Sequence, residues 1–416
     1  MLNRINIAIF YVFSIYPIVG FITMKTTNIA AGNLLGVLLF LLLPLILITR
    51  EPNEIKFPTY LKFYLVFVAL TIFSDFINGK IDMPFNYAYR NGYIKTFLIL
   101  FTIENTYVNK ILVKNLKKIM FIILTITFVV IILQVVIGPM FLVRESFMAG
   151  RPAAYYRAPS IFSWIDNPTD LGFTIPMIIS ILVSENYLTN TNKRNYILYF
   201  MGSVISLINR SRWIMVSMIV VSWQIIKYGK DKSTIYIKYI FSIVLFLLIT
   251  YQVLFLSGID VNKIIEERIL ESKSSSLEEK SAGTRILAVY LFIQFFPESP
   301  IFGTGGVMKS DLVHTLRGRS SQIHVGFLSL FYYYGLVGGI IYLAFLYYLL
   351  KRLKFVAETT NYWGSYYALL TFPIANLTLV SFGLFNMGVV MAMVFHKFYE
   401  QQLLSGEEVN EIEEYG

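Results

Sequence analysis

The chain has 416 residues, of which 56% are hydrophobic and only 14% charged, with a formal net charge of +10 and no cysteine. A soluble domain of this length could not carry so much apolar surface in water, so composition excludes that class and points to an integral membrane protein. Without cysteine there is neither disulfide nor thiolate chemistry, and the compartment is not readable from that residue.

Hydrophobic runs fall at about residues 5–24, 31–49, 59–78, 93–108, 118–143, 169–188, 195–209, 213–227, 236–256, 323–350, 362–380 and 383–399. Many approach the roughly 20 residues needed to cross a bilayer. The expected fold is therefore an all-α integral membrane protein, one polytopic domain over 1–416 with about twelve transmembrane helices. The first run has only Arg4 ahead of it and no small-residue cleavage site behind it, which reads as a retained helix rather than a signal peptide.

Short loops give the orientation, because Lys and Arg accumulate on the cytoplasmic side. If helices alternate, Lys110, Lys114, Lys117, Lys118, Lys193, Arg194, Lys227, Lys230, Lys232, Lys351, Arg352 and Lys354 share one side. Both termini then lie in the cytoplasm, and 79–92, 144–168, 210–212 and 257–322 lie outside. The acidic tail "GEEVNEIEEYG" reads as a solvated end.

Cation type also sorts by side. Arg90, Arg144, Arg151, Arg157, Arg210, Arg212, Arg268, Arg285, Arg317 and Arg319 are external on this reading, whereas Arg4, Arg50, Arg194 and Arg352 are internal. Orientation needs only positive charge, which Lys supplies equally well; Arg adds a planar fork that grips phosphate oxygens in pairs. The bias points to an anionic, phosphorylated ligand on the outer face. Pairing with lipid headgroups or with Glu266, Glu267 and Glu298 is the alternative.

The hairpin "LINRSRWIMV" has two short arms, from about Tyr196 to Arg210 and from Arg212 to about Ile226. A turn set below the outer surface would bury Arg210 and Arg212 at a cost that a watery cavity or a bound anion offsets. Ser211 between them adds a hydroxyl donor. Arg212 also opens a helix whose positive end repels it, a repulsion that a ligand phosphate would relieve. Snorkelling to headgroups is the competing account.

Residues 257–322 form the only large hydrophilic segment. Within it "ESKSSSLEEKSAG" is a polar linker, and "TRILAVYLFIQFF", opened by Arg285, is too short to span and reads as an interfacial or re-entrant helix. Pro297 and Pro300 stop that helix; "GTGG" lacks the Lys-Ser/Thr ending of a phosphate-binding loop and reads as a turn. His324 then sits in the first turn of an inward-running helix. The helix N-terminus and nearby arginines disfavour imidazolium, leaving a neutral ring able to accept a proton. An interfacial hydrogen bond without chemistry is the alternative. His314 lies in loop-like surroundings, and His396 reads as structural.

These segments resemble the O-antigen polymerase and ligase superfamily of bacterial polysaccharide assembly. "RAPSIFSWIDNPTDLGF" is similar to its Arg-containing external segment ending in Asn-Pro before a helix, and "NRSRW" to its Ser-Arg-Ser-type hairpin. "TRILAVYLFIQFFPESPIFGTGG" resembles the Arg-led helix followed by Pro-x-x-Gly-x-Gly, and "IHVGFLSLFYYYGLVGGI" the His-Asn-x-x-Leu segment leading into Gly-Leu-x-Gly. Together they cover about residues 150–345. Val325 stands where many relatives have Asn, so that amide's hydrogen bond is absent.

The resemblance implies glycosyl transfer on the outer leaflet of the cytoplasmic membrane, from a polyprenyl-diphosphate-linked oligosaccharide to an acceptor hydroxyl. Arg210 and Arg212 would stabilise the diphosphate, with Arg157, Arg285, Arg317, Arg319 and Ser211 as further binding residues and His324 as base. No cofactor and no metal is expected: no two aspartates are separated by one residue, which counts against a metal-bound nucleotide-sugar donor. Expected partners are the lipid-linked oligosaccharide and membrane lipids, with a chain-length regulator protein as a candidate and no nucleic acid. Aromatic clusters such as "FYYY" and "AAYY" fit sugar stacking, but packing and interface belts explain most such tyrosines. Polymerase, ligase and translocase compete; charges near helix ends and the lack of an internal repeat disfavour the last.

Overall fold

The computed structural model describes residues 2–27, 36–43, 46, 54–82, 84–137, 168–189, 193–209, 212–228, 289–306, 325–377 and 382–405. Among the described residues the chain is helical, with no strand. The principal helices are α1 Leu2–Thr27, α2 Thr59–Ile77, α3 Pro84–Glu104, α4 Lys110–Val136, α5 Pro168–Leu188, α6 Lys193–Asn209, α7 Arg212–Tyr228, α8 Gly326–Thr360, α9 Gly364–Ala375 and α10 Met387–Ser405. Further helical residues lie at 36–43 and 289–295, the latter running into a 3-10 turn at Phe296–Glu298 with Pro297 inside it. Thr59–Ile77, Lys110–Gln134 and Gly326–Thr360 are long and apolar enough to cross a membrane. Large apolar side chains such as Phe40, Phe76, Ile111, Ile219, Trp223 and Phe355 face outward.

Local chemistry sets the ends. Pro58 precedes α2, and Asn78 with Gly79 at φ +64° stops it. The Asn109 side chain accepts from the Leu112 amide to cap α4. Pro168 opens α5, where its missing N–H costs nothing. Asn361, in the left-handed region, closes α8, and the Asn386 side chain caps α10 through the Gly388 amide.

α10 is the central helix. Every residue from Met387 to Tyr399 is buried, because α1, α3, α4, α5, α8 and α9 surround it. α8 lies along α2, the most extensive helix pair, joined by rings: Phe67 meets Tyr342 at 4.8 Å, Tyr64 meets Phe345 at 4.6 Å, and Phe63 stacks on Tyr348 at 5.1 Å. Such pairs contribute about 0.5–1.5 kcal/mol each beyond their area. Polar contacts add to this where lipid supplies no hydrophobic drive between helices. Gln224 of α7 donates to the Ser180 carbonyl and the Ser184 hydroxyl of α5, and Ser180 also donates to the Gly364 carbonyl of α9.

Three elements depart from the hydropathy reading. α3 starts at Pro84 rather than near 93, so part of the expected external loop 79–92 is helix and Lys95 lies three turns inside it. α8 is longer than the 323–350 run but breaks at Gly335, with φ +67° and ψ −172°. α9 has 12 residues where 362–380 was expected, about 18 Å and too short to cross alone. Residues 382–386 are non-helical ahead of α10, and the Tyr342 hydroxyl donates to the Phe382 carbonyl. Run 236–256 lies outside the described residues, and so do the linker and most of 257–322.

One end of the bundle is closed by a buried charge network. Arg352 of α8 grips Glu104 of α3 through two donors at 2.8 and 2.9 Å and Glu400 of α10 through two more at 2.8 Å. Lys397 donates to both carboxylates at 3.0 Å, and the Tyr60 hydroxyl of α2 donates to Glu104 at 2.7 Å. Two acids and two bases cancel within one cluster, with their hydrogen-bonding capacity spent on each other. Beside it, Glu185 of α5 accepts from Tyr399 at 2.6 Å and lies 3.8 Å from Lys117 of α4. The expected basic loops thus contribute at least Lys117 and Arg352 to internal pairs.

Candidate functional site

The opposite end of α2 carries "FSDFINGK", residues 73–80, and its last turn holds a segment more than 200 positions away. Ser74 donates to the Phe302 carbonyl at 2.7 Å, Asn78 to the Gly303 carbonyl at 3.1 Å and Lys80 to the Thr304 carbonyl at 2.7 Å. The Asp75 carboxylate accepts from the Gly306 amide at 2.9 Å. Three consecutive carbonyls and one amide of the glycine-rich turn are thereby bound by four side chains of one short stretch.

The same turn repairs the break in α8. Thr304 and Gly305 donate to the Tyr332 and Tyr333 carbonyls, while Leu336 and Val337 donate to the Pro300 and Ile301 carbonyls. Backbone groups freed at Gly335 are paired by 300–305, the condition under which non-helical chain is tolerated at membrane depth. Gly335 allows it twice over. Its backbone conformation is nearly restricted to glycine, and a Cβ there would lie 2.1 Å from the Ile301 oxygen. Gly303, at φ +72°, is equally tight against Tyr333. The expected turn at "GTGG" is present, wedged between α2 and the break in α8.

Charge at this end is directed toward main chain. Arg90 of α3 places Nε 3.5 Å from Asp75 Oδ2 and donates to the Ile81 carbonyl. Asp75 is fully buried and Arg90 nearly so. Deeper in α3, half-buried Lys95 lies against Gly36 and 5.8 Å from the centre of the Phe385 ring. That places one ionisable group away from the helix ends.

Of the residues singled out from sequence, Arg212 is the first residue of α7. Its side chain lies outside the described residues, as do Arg157, Arg210, Ser211, Arg285, Arg317, Arg319 and His324. The hairpin arms are described: α6 and α7 have 17 residues each, about 26 Å, and pack on one another. Both are shorter than the hydrocarbon core of roughly 30 Å. Pairing of the C-terminal half of α7 with α5 puts Arg212 at the far end from the Glu104 network, toward Asp75. Tyr332, Tyr333 and Tyr334 are buried, so "FYYY" packs in the core. His396 is buried beside the charge network, in keeping with a structural residue.

Sequence reading missed the side chains of Ser74, Asp75, Asn78 and Lys80. The available signal was an acid inside an apolar run, three residues before Asn78-Gly79-Lys80. Among the described residues no three His, Asp or Glu side chains are grouped to hold a metal ion. No protein-family model matches the chain, and no curated protein matches it either.

Proposed function

We propose that the chain is a glycosyltransferase of the O-antigen polymerase type, joining polyprenyl-diphosphate-linked oligosaccharide units into O-antigen, capsular or exopolysaccharide. One observation carries the reading. Two of the segments on which the resemblance rests, "PESPIFGTGG" and "FYYYGLVGGI", are built against each other by paired backbone, at the end of the bundle toward which Arg212 lies. In this reading that end faces the exterior of the bacterial cytoplasmic membrane, both termini are cytoplasmic, and about twelve helices cross.

The chemistry follows from charge development. As the acceptor hydroxyl attacks the anomeric carbon, the bond from that carbon to the diphosphate oxygen breaks and negative charge grows on the leaving group. Arg210 and Arg212 stabilise that charge, with Arg157, Arg285, Arg317, Arg319 and Ser211 binding diphosphate or glycan. His324 takes the hydroxyl proton, and attack opposite the diphosphate inverts the anomeric centre. Transfer of a finished glycan to a lipid or protein acceptor would use the same parts.

Lys95 supports a translocase as second reading, because an ionisable group inside a membrane helix is a common transport feature. Deleting the gene and identifying the glycans left on polyprenyl carrier tests all three. Single repeat units at the outer leaflet support the polymerase, full-length polymer on carrier supports the ligase, and single units trapped at the inner leaflet support the translocase. His324→Ala should reproduce the deletion, with polymer formation reduced about 10²–10⁴-fold.

A further inference from the structure

We infer that the groove between the first turns of α4 and α6 binds an anionic phospholipid, with Lys114, Lys118 and Arg194 on its phosphate and Phe121, Ile197 and Phe200 along an acyl chain. This does not depend on the proposed transfer. The two helices pack together, Phe128 of α4 meets Phe200 of α6 at 6.0 Å, and Arg194 is close enough to Lys117 for their charges to interact. Positions 114, 117, 118 and 121 recur every three or four residues and so share one face of α4. Lys114, Lys118, Phe121, Arg194, Ile197 and Phe200 are all exposed.

Repulsion leaves this cluster incomplete by itself. Lys114 and Lys118 are like charges at i, i+4, an arrangement that destabilises a helix unless an anion lies between or beside them. Glu185 answers Lys117 alone, at 3.8 Å, and its other oxygen accepts from Tyr399. Among the described residues no carboxylate pairs with Lys114, Lys118 or Arg194. At the same end of the bundle Arg352 and Lys397 are answered by Glu104 and Glu400, and Lys354 by Glu358. Basic residues that set orientation need only lie at one end, and that requirement does not gather them on one groove. Both helices also change from cation to ring over a similar distance. Seven residues separate Lys114 from Phe121, about 10 Å, and six separate Arg194 from Phe200, about 9 Å. A phospholipid has the same order, phosphate above hydrocarbon, and basic pockets between membrane helices suit such headgroups. The Arg194 fork fits two phosphate oxygens, and the lysines add point charges. A soluble anion would match the cations but leave the apolar half of the groove unused.

The test uses Thr125→Cys, one turn beyond Phe121, as the only thiol in a chain without cysteine, and attaches a fluorophore to it. The labelled protein is placed in phosphatidylcholine nanodiscs that carry increasing amounts of brominated phosphatidylglycerol or, separately, brominated phosphatidylcholine. Half-maximal quenching should need at least about tenfold less phosphatidylglycerol. Lys114→Gln, Lys118→Gln and Arg194→Gln should each weaken that preference by about two- to fivefold, and the triple variant should quench alike with both lipids to within about twofold. Lys62→Gln removes an exposed lysine of α2 at the same end of the bundle and should leave the preference within about twofold of its starting value. Equal quenching by the two lipids before any of these changes, a preference retained in the triple variant, or an equal loss in Lys62→Gln overturns the inference. So does quenching by neither lipid together with disulfide-linked dimers of the Thr125→Cys protein, which would assign the groove to a second copy of the chain.

Discussion

The two ends of α2 use charge in opposite ways. At Tyr60, Glu104, Arg352, Lys397 and Glu400 balance one another across three helices, and side chain answers side chain. At Asp75, about 23 Å away along the helix, Ser74, Asp75, Asn78 and Lys80 bind main-chain atoms of a turn. A saturated network of the first kind fixes which helices meet and leaves little capacity for a ligand. A cradle of the second kind holds a turn, and the proposed transfer assigns its chemistry to residues that follow that turn in the sequence. On the proposed reading, the first end governs stability and the second governs activity per molecule.

Substitutions can break or sharpen that contrast. The largest effect is expected for Glu104→Ala, which leaves Arg352 and Lys397 beside each other with Glu400 alone to balance two charges. Removing one partner of a buried pair costs about 3–5 kcal/mol, so folded protein recovered in detergent should fall sharply on a thermal melt. The activity of surviving molecules should be unchanged. Arg210→Lys and Arg212→Lys should do the reverse, leaving membrane levels intact while polymer formation falls about 10²-fold, because the charge survives and the bidentate fork does not. Normal polymer from both would remove their assigned role.

A smaller and mixed effect is expected for Gly335→Ala. Its backbone conformation alone costs a side chain about 1–3 kcal/mol, and the added carbon must also displace Ile301. Both melting temperature and polymer formation should drop, since this residue seats the turn that leads to the site. Lys354→Ala comes last. It removes an exposed pair with Glu358 at 3.5 Å, and the melt should shift by no more than about 0.5 kcal/mol. A Cys placed at Ser274 gives the sidedness: labelling by an impermeant reagent from outside is expected, and protection would reverse the assigned orientation.

Much of the helical layout was legible because hydropathy is a local sum. Run 59–78 became Thr59–Ile77, 169–188 became Pro168–Leu188, and the hairpin arms 195–209 and 213–227 became Lys193–Asn209 and Arg212–Tyr228. Errors came where a partner overrides the local signal. "MPFNYAYRNGYIK" looks too polar to begin an apolar helix, yet α3 starts at Pro84 and Arg90 is accommodated by Asp75 and Ile81. The run through Gly335 looks continuous, yet its break is stabilised by residues 300–305.

By itself, then, the chain's order of residues determined the apolar composition suited to a membrane, the placement of most of the described helices and the motifs behind the proposed transfer. Each is a property of residue type and spacing along the chain. Only tertiary structure decided that Asp75 meets Gly306, 231 positions on, and that Arg352 meets Glu104, 248 positions back. A buried donor or acceptor must find a partner somewhere, but residue identity states only the need. Which group meets it depends on which helices pack side by side, and that is set by the whole bundle at once.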